Sequence, residues 1–246
     1  ILCQSQDNLR NFIQLGANSD LCEVSGNLKF DIRIDDKTRE KQAKLSELLP
    51  TNRSIWLVAS THQGDEELAL MAFEKVKVLF PELLLILVPR HPERFSSVAK
   101  LCTNQGYKLA KRSSNSQVTD ENIWLLDTLG ELMAAYALAE IVTMGGSFSH
   151  IGGHNPLEPA LFKKPVIVGN DMSNFTDVLV QLKENQGVIQ LPHEENNIPQ
   201  QLSHAVINLL ENPISAAEYG SRAHQVVLTN QGASLRTLEQ VQDLLT

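Results

Sequence analysis

The run Leu83-Leu84-Leu85-Ile86-Leu87-Val88 decides how the rest of the chain is interpreted, because six branched aliphatic residues follow one another without a break. A membrane helix needs about 18 or more apolar residues, and no stretch of the chain approaches that length. A short apolar run that follows Pro81-Glu82 and stops at Pro89 is typical of a buried strand. We therefore predict a strand at 83–88.

Further β-rich runs alternate with amphipathic stretches on both sides of this strand, as expected for βαβ units. The predicted strands are 55–59, 83–88, 123–126, 141–144 and 166–168, with weaker ones at 107–110 and 188–190. The predicted helices are 65–79, 92–105, 129–138, 155–162, 175–184, 198–210, 213–228 and 233–245. The predicted fold is α/β, with a Rossmann-like, doubly wound parallel sheet.

The first 54 residues break this alternation, and we predict that they precede the main domain. Residues 1–30 are interpreted as the remnant of an N-terminal domain, with a helix at 9–15 and a strand near Val24. Residues 31–54 are rich in charge and are interpreted as an interdomain linker with a short helix. Residues 55–246 are predicted to form one ligand-binding domain. Since the chain begins at Ile1 without Met, we expect it to be part of a longer protein.

Composition and charge exclude several classes of function. The 42% of hydrophobic and 20% of charged residues are typical of a folded globular domain. A net charge of −8 argues against nucleic acid as a partner, so an anionic ligand requires a local site. The three cysteines, Cys3, Cys22 and Cys102, are scattered, which fits neither a disulfide framework nor a zinc site and favours a reducing cytoplasm. No signal peptide is visible.

Ligands of open parallel sheets bind at the carboxyl ends of the strands, where two of the predicted loops carry polar side chains. Ser60-Thr61-His62-Gln63-Gly64 precedes a helix and can bind a phosphate, although Ser60 or Thr61 can equally be a helix cap. Pro89-Arg90-His91-Pro92-Glu93-Arg94 makes a local positive spot suited to a phosphate or carboxylate, with solvated surface as the alternative.

Two further loops follow predicted strands. In Asp127-Thr128-Leu129-Gly130-Glu131-Leu132, helix capping by Asp127 or Thr128 is favoured, and amides near Gly130 can read the edge of a base. The segment 145–159 has four glycines within nine residues, which lets its backbone approach a ligand. Asn155, Pro156 and Glu158 fit a capping box, so Glu158 either completes that box or accepts hydrogen bonds from ribose hydroxyls. The spacing of the histidines predicts no metal site, and no GxSxG hydrolase motif is present.

Five fragments, in this order, resemble the bacterial 3-deoxy-D-manno-octulosonic acid (Kdo) transferases over nearly the whole chain. They are Gly26-Asn27-Leu28-Lys29-Phe30-Asp31, Ser60-Thr61-His62, Pro89-Arg90-His91-Pro92-Glu93-Arg94-Phe95, Asp127-Thr128-Leu129-Gly130-Glu131-Leu132 and Gly152-Gly153-His154-Asn155-Pro156-Leu157-Glu158-Pro159. The resemblance implies a GT-B glycosyltransferase whose C-terminal domain, here 55–246, binds CMP-Kdo. It also implies metal-independent transfer of Kdo to a lipid A precursor, in lipopolysaccharide biosynthesis, at the cytoplasmic face of the inner membrane.

The resemblance also assigns residues to the donor site. The residues expected to contact CMP-Kdo are Pro89, Arg90, Gly130, Glu131, Leu132, Asn155, Pro156, Leu157 and Glu158. Lys29 matches a residue that stabilises the transition state, with a solvated hinge lysine as the alternative. The family's general base, acceptor groove and membrane-associated segment belong to a preceding domain that this sequence lacks, so we expect the chain to be inactive alone. A non-catalytic CMP-sugar binding module, a nucleotide-sugar epimerase and a UDP-sugar transferase remain the alternatives.

Overall fold

We describe the fold from a computed structural model, which covers residues 1–192 and 197–243. The chain divides into two compact units. The terminal unit comprises Ile1–Arg33 and Gln225–Thr246, and the sheet unit comprises Ile34–His224. The boundaries predicted at 30 and 54 separate the domains of a longer protein, whereas the two units are defined by contacts within this chain. The predicted boundaries therefore stay a prediction.

The strands and helices of the covered residues alternate along most of the chain. The strands are β1 (Leu2–Cys3), β2 (Glu23–Val24), β3 (Ile55–Thr61), β4 (Leu84–Pro89), β5 (Leu109–Lys111), β6 (Ile123–Leu125), β7 (Ile141–Met144), β8 (Val166–Val168) and β9 (Ile189–Gln190). The helices are α1 (Gln6–Gln14), α2 (Asp36–Ser46), α3 (Asp65–Leu79), α4 (Phe95–Asn104), α5 (Leu132–Leu138), α6 (Leu157–Leu161), α7 (Thr176–Glu184), α8 (Ile198–Glu211), α9 (Pro213–Asn230) and α10 (Ala233–Asp243).

The sheet unit contains a seven-stranded sheet in the order β5-β6-β4-β3-β7-β8-β9. Every neighbouring pair is parallel, so the predicted α/β fold with a doubly wound parallel sheet is confirmed. After β6 the chain crosses to the other side of β3 to form β7. A crevice at the carboxyl ends of the strands is expected where the strand order reverses in this way, between β3 and β7.

The core lies around the two central strands β3 and β4, in which every residue is buried. Burial on both faces explains why β4 is an unbroken apolar run rather than an alternating one. The largest side chain in β3, Trp56, is fully buried, and its ring nitrogen donates a hydrogen bond to the Thr143 hydroxyl on β7, 2.9 Å away. This bond satisfies a polar group that burial would otherwise leave unpaired.

Two segments differ from the sequence prediction in ways that affect the loops. The predicted helix 129–138 begins only at Leu132, because Gly130 has a positive φ of +74°, which a right-handed helix does not allow. The predicted helix 92–105 is divided into a 3-10 turn at Pro92–Arg94 and helix α4. In residues 31–54, the expected short helix is present as α2.

The terminal unit joins the two ends of the chain. β1 and β2 pair in parallel. The Asp31 carboxylate accepts hydrogen bonds from the amides of Gly232, at 2.6 Å, and Ser234, and so caps α10. Burial by itself raises the pKa of Asp31. The hydrogen bonds from Ser234 and Gly232 and the charge of Arg236 together outweigh burial, so the pKa of Asp31 lies below its ordinary value. Within the covered ranges, no helix is both long and apolar enough to cross a membrane.

Candidate functional site

The loops after β3, β4, β6 and β7 lie at the carboxyl edge of the sheet, because the strands are parallel. Two backbone hydrogen bonds hold these loops together at the centre of the edge. The amide of Arg90, after β4, donates to the Thr61 carbonyl at 3.0 Å, and the amide of Gly145, after β7, donates to the Ala59 carbonyl at 2.7 Å. The segments predicted to carry the chemistry therefore start from fixed positions.

An ion pair lies beneath these loops. The Arg94 guanidinium donates to both oxygens of the fully buried Glu66 carboxylate, at 2.6 and 2.8 Å. The Thr61 hydroxyl donates to the same carboxylate at 2.5 Å. Hydrogen bonding to Glu66 raises the pKa of Arg94, so the guanidinium stays charged. Arg94, one of the two arginines of the predicted positive spot, is thus bound within the protein.

Asp65 links the loops after β3 and β7. Its Oδ2 atom accepts hydrogen bonds from the amides of His62, at 2.8 Å, and Gly146, at 2.7 Å. Its Oδ1 atom is buried beside the Ser149 hydroxyl without a hydrogen bond of normal geometry. Burial raises the pKa of Asp65 to about 6, against the lowering effect of the two amides. We call Thr61, Asp65, Glu66 and Arg94 the inner network.

The alternative in which Ser60 or Thr61 caps α3 is wrong. The cap position is Gly64, at φ +96°, and no side chain bonds from that position. Thr61 is the last residue of β3, four positions before the first residue of α3, and its hydroxyl donates to the buried Glu66 carboxylate. The Gly64 amide is satisfied by the Glu67 carboxylate at 3.1 Å.

The histidines of these loops form a cluster that the sequence did not predict. The Nε2 atoms of His62 and His154 are 2.8 Å apart, within hydrogen-bond distance, and the His91 ring stands edge-on to His62 with centroids 5.2 Å apart. Burial, and then the charges of His62, Arg90 and His91, lower the pKa of His154 to about 4. Burial, His91, Arg94 and Arg90 lower the pKa of His62. Both rings are therefore neutral at pH 7.

Among the covered residues, no group of three or more His, Cys, Asp or Glu side chains is arranged to hold a metal ion. The sequence does contain a signal for the histidine cluster, because His62, His91 and His154 each lie in a segment that follows a predicted strand. Their mutual contact depends on the strand order, which local spacing does not reveal.

Arg90 and Glu158 are two charged side chains of the site that lie outside the inner network. Arg90 is exposed, directly after the buried Pro89 at the end of β4. Glu158 is half-buried in α6, beside the buried Tyr136 of α5. Burial raises the pKa of Glu158, while Tyr136, Asn155 and the charge of Arg90 act in the opposite direction. A cation and an anion thus influence each other across the edge.

The alternative in which Glu158 completes a capping box at 155–158 is wrong. Helix α6 begins at Leu157, so Pro156 takes the cap position rather than the first helical position. The Asn155 side chain accepts from the Leu157 amide at 3.1 Å. In the part of the chain that the structure covers, no backbone amide donates to the Glu158 carboxylate. Its polar neighbours are instead the side chains of Tyr136 and Asn155.

The loop after β6 uses its carboxylates internally. The Glu131 carboxylate pairs with Arg112 at 3.0 Å and also accepts from the Thr128 hydroxyl. Asp127 accepts from the amide and the hydroxyl of Ser113, at 2.8 and 2.7 Å. Capping of α5 by Asp127 or Thr128 is therefore a wrong prediction, because Glu131 takes the cap position and no side chain bonds from it to the helix. A contact from Glu131 to a nucleotide would have to come from its backbone.

The predicted donor residues thus fall at one edge of the sheet unit. Pro89 and Arg90 follow β4, the segment Gly130-Glu131-Leu132 precedes α5, and Asn155-Pro156-Leu157-Glu158 leads into α6. Lys29 lies in the terminal unit, in the 3-10 turn Leu28–Phe30, where its amide donates to the Asn27 side chain at 3.0 Å.

Comparison with known proteins agrees with this arrangement, although no family model matches. The chain is 37% identical to the 3-deoxy-D-manno-octulosonic acid transferase of Haemophilus influenzae, over 97% of this chain and 56% of that protein. It is 30% identical to the enzyme of the same name from Bordetella pertussis, over 100% of this chain and 56% of that protein. The chain spans about half the length of these relatives.

Among solved structures, the C-terminal CMP-Kdo binding domain of WaaA from Acinetobacter baumannii matches with a TM-score of 0.71 and 29% identity, over 78% of this chain and 99% of that domain. UDP-GlcNAc 2-epimerase from Neisseria meningitidis matches with a TM-score of 0.63 and 14% identity, over 98% of this chain and 60% of that one, which shows a shared fold only. The fold is that of the C-terminal domain of a GT-B glycosyltransferase. The chain belongs to the 3-deoxy-D-manno-octulosonic acid (Kdo) transferase family.

Proposed function

We propose that the carboxyl edge of the sheet unit binds CMP-Kdo, and that the chain is the donor-binding part of a Kdo transferase. The observation that carries the proposal is Arg90: of the two arginines that follow β4, Arg94 is engaged by Glu66, whereas Arg90 is exposed. A guanidinium at the carboxyl end of a central strand suits a phosphate, which it can bind through two parallel hydrogen bonds.

The other predicted contacts surround this arginine. Glu158 has no backbone donor in the covered residues, and it suits the ribose hydroxyls of the nucleotide, which donate hydrogen bonds. The backbone of Gly130-Glu131-Leu132 suits the edge of the cytosine, since the carboxylate of Glu131 is already paired with Arg112. Pro89, Asn155, Pro156 and Leu157 shape the walls of the same site.

The reaction we propose for the whole enzyme is a displacement at the anomeric carbon of Kdo. A base outside this chain removes the proton of an acceptor hydroxyl on a lipid A precursor, and the oxygen attacks that carbon. The bond from the carbon to the phosphate oxygen breaks, and CMP leaves with the bonding electron pair. Arg90 stabilises the negative charge that collects on the phosphate, and Lys29 stabilises the transition state.

The setting follows from the family resemblance and forms part of the proposal. The whole enzyme acts at the cytoplasmic face of the inner membrane, in lipopolysaccharide biosynthesis, and needs no metal ion. The chain alone binds the donor but does not transfer the sugar, because the general base belongs to the remaining half of the relatives' length.

Titration calorimetry with CMP, UMP, UDP and cytidine tests the proposal. We expect CMP to bind more tightly than UMP, UDP or cytidine, because the site would read both the cytosine and the phosphate. Arg222→Ala is a matched control, since Arg222 belongs to the sheet unit but lies on α9, against Glu218 and Tyr219. Binding of UMP or UDP as tight as that of CMP would contradict a CMP-Kdo site.

A further inference from the structure

The hydrogen-bonded pair of His62 and His154 has no role in the donor site as described so far. With their Nε2 atoms 2.8 Å apart, one ring must donate the single proton between them and the other must accept it. A second proton on that contact would place two N–H groups against each other. Because the pKa of each ring is lowered, the pair is neutral in the free protein. One added proton can be held on the Nδ1 atom of the donor ring, which keeps this bond and makes it charge-assisted.

The position of the pair joins it to the site. His62 follows β3, and His154 lies in the loop after β7. The strand order of the sheet reverses between these two strands. A side chain at Gly146 would meet the His154 ring at 3.0 Å, so glycine is what allows the ring to lie there. The positive charge of Arg90 lowers the pKa of both rings, which places the pair within electrostatic reach of the proposed phosphate site.

We propose that the His62–His154 pair binds the donor's phosphate together with Arg90 and takes up a proton when it does so. This inference rests on the proposed function, since it assumes that a nucleotide phosphate occupies the site. It adds two residues to the donor site and assigns them the phosphate as their ligand.

The charges around the pair explain why the phosphate would change its protonation. The basic groups that face it are Arg90, His91 and Arg94, from the segment after β4. The anions nearby are Asp65 and Glu66 of α3, and both already accept hydrogen bonds, from the His62 and Gly146 amides and from Arg94 and Thr61. Glu66 raises the pKa of His62, but burial and the nearby basic groups outweigh it, so an incoming phosphate would supply the negative charge that a protonated pair needs.

The sign of the pH dependence follows from linkage. A bound anion favours the charged form of a histidine, so the pKa of one ring is higher in the complex than in the free protein. Binding then takes up a proton at pH values between the two pKa values, and affinity rises as pH falls through this window. The phosphate of CMP itself has a pKa near 6, so the histidines have to be observed directly.

The test is an NMR pH titration of the chain labelled with ¹⁵N at histidine, recorded free, with CMP and with cytidine. We expect CMP to move the pKa of one ring of the pair from the free value, about 4 for His154, to about 6 or higher, near an unperturbed histidine. Cytidine lacks the phosphate and should leave the pair unchanged. His204, exposed on α8, is the internal control and should titrate alike in all three samples.

A variant provides a second readout. We expect His154→Gln to weaken CMP binding about tenfold at pH 6 and less than about threefold at pH 8, since the lost contact is charge-assisted only at the lower pH. His204→Gln is its control. If CMP binds in an Arg90-dependent way while the pKa values of His62 and His154 do not move, the inference is wrong and the donor site stands. If CMP does not bind at all, the proposed function fails, and the inference with it.

Discussion

The inner network contains an arginine and a glutamate that bind each other, whereas Arg90 and Glu158, at the same edge of the sheet, do not. Arg94 and Glu66 pair with each other under the loops, whereas Arg90 and Glu158 have no ion pair in the covered residues, although they lie within electrostatic reach of each other. Arg90 and Arg94 are only four positions apart in one motif. The comparison teaches that a motif can hold a loop in place with one arginine and present the other to a ligand.

The largest expected effect concerns the stability of the inner network. Glu66→Ala should lower the free energy of unfolding by about 3–5 kcal/mol, because it leaves the Arg94 guanidinium without its buried partner. Arg90→Ala should change it by less than about 0.5 kcal/mol, as is usual for exposed side chains. Urea denaturation of the two variants measures both values. Equal losses of stability would remove the distinction between the two arginines.

Asp65 offers a pH-dependent version of the same test. Its pKa is raised from 3.8 to about 6, so the folded protein holds this proton more tightly than the unfolded chain, and stability is lost as pH rises from about 4 through 6. The loss should approach about 3 kcal/mol. Asp65→Asn keeps an oxygen acceptor for the two amides without the charge and should not show this loss. A stability difference between variant and wild type that is constant from pH 4 to 7 would contradict burial as the cause.

Most of the sheet could be predicted because burial on both faces leaves a strong local signal. The strands at Ile141–Met144 and Val166–Val168 and the helix at Asp65–Leu79 have the predicted bounds. Helix α2 was predicted only as a short helix within a linker, because its residues are nearly all charged or polar and carry little apolar periodicity.

The inner network could not be predicted, because its bonds join residues that are far apart in sequence. Glu66 and Arg94 are separated by 28 positions, and Asp65 and Gly146 by 81. Local spacing left a helix cap as one alternative at Thr61 and favoured one at Thr128. Each helix begins four residues after that threonine, and both hydroxyls donate to glutamates.

Nucleotide affinity should depend on Arg90. Arg90→Ala is expected to weaken CMP binding by about 1.5–3 kcal/mol, the scale of a hydrogen bond to a charged group. Calorimetry measures this loss beside Arg222→Ala, which should bind CMP like the wild type. If Arg222→Ala lost as much affinity, the effect would reflect the net charge of the protein rather than a site.

Glu158→Gln is expected to cost about 1 kcal/mol of CMP affinity, since a hydrogen bond from a ribose hydroxyl to a carboxylate is stronger than one to an amide. A 2′-deoxy nucleotide removes one ribose partner. It should bind the wild type more weakly but lose little further affinity in the variant, a coupling that a double-mutant cycle isolates. Additive losses would mean that Glu158 does not bind the ribose.

The central claim is that the donor binds at the carboxyl edge, and the opposite edge of the sheet provides the competing location. A cavity of about 270 Å³ lies there, lined by Glu140, Lys164 and Leu209 among others. This cavity contains Lys164, which could bind an anion as Arg90 could at the carboxyl edge. The presence of a basic side chain therefore does not decide which of the two edges binds the donor.

Backbone NMR shift mapping of the chain with CMP compares the two edges directly. We expect the largest shifts at Arg90, in the segment Gly130-Glu131-Leu132 and in the segment Asn155-Pro156-Leu157-Glu158, with Glu140 and Lys164 unchanged. Shifts centred on Glu140, Lys164 and Leu209, with Arg90 unchanged, would contradict the account.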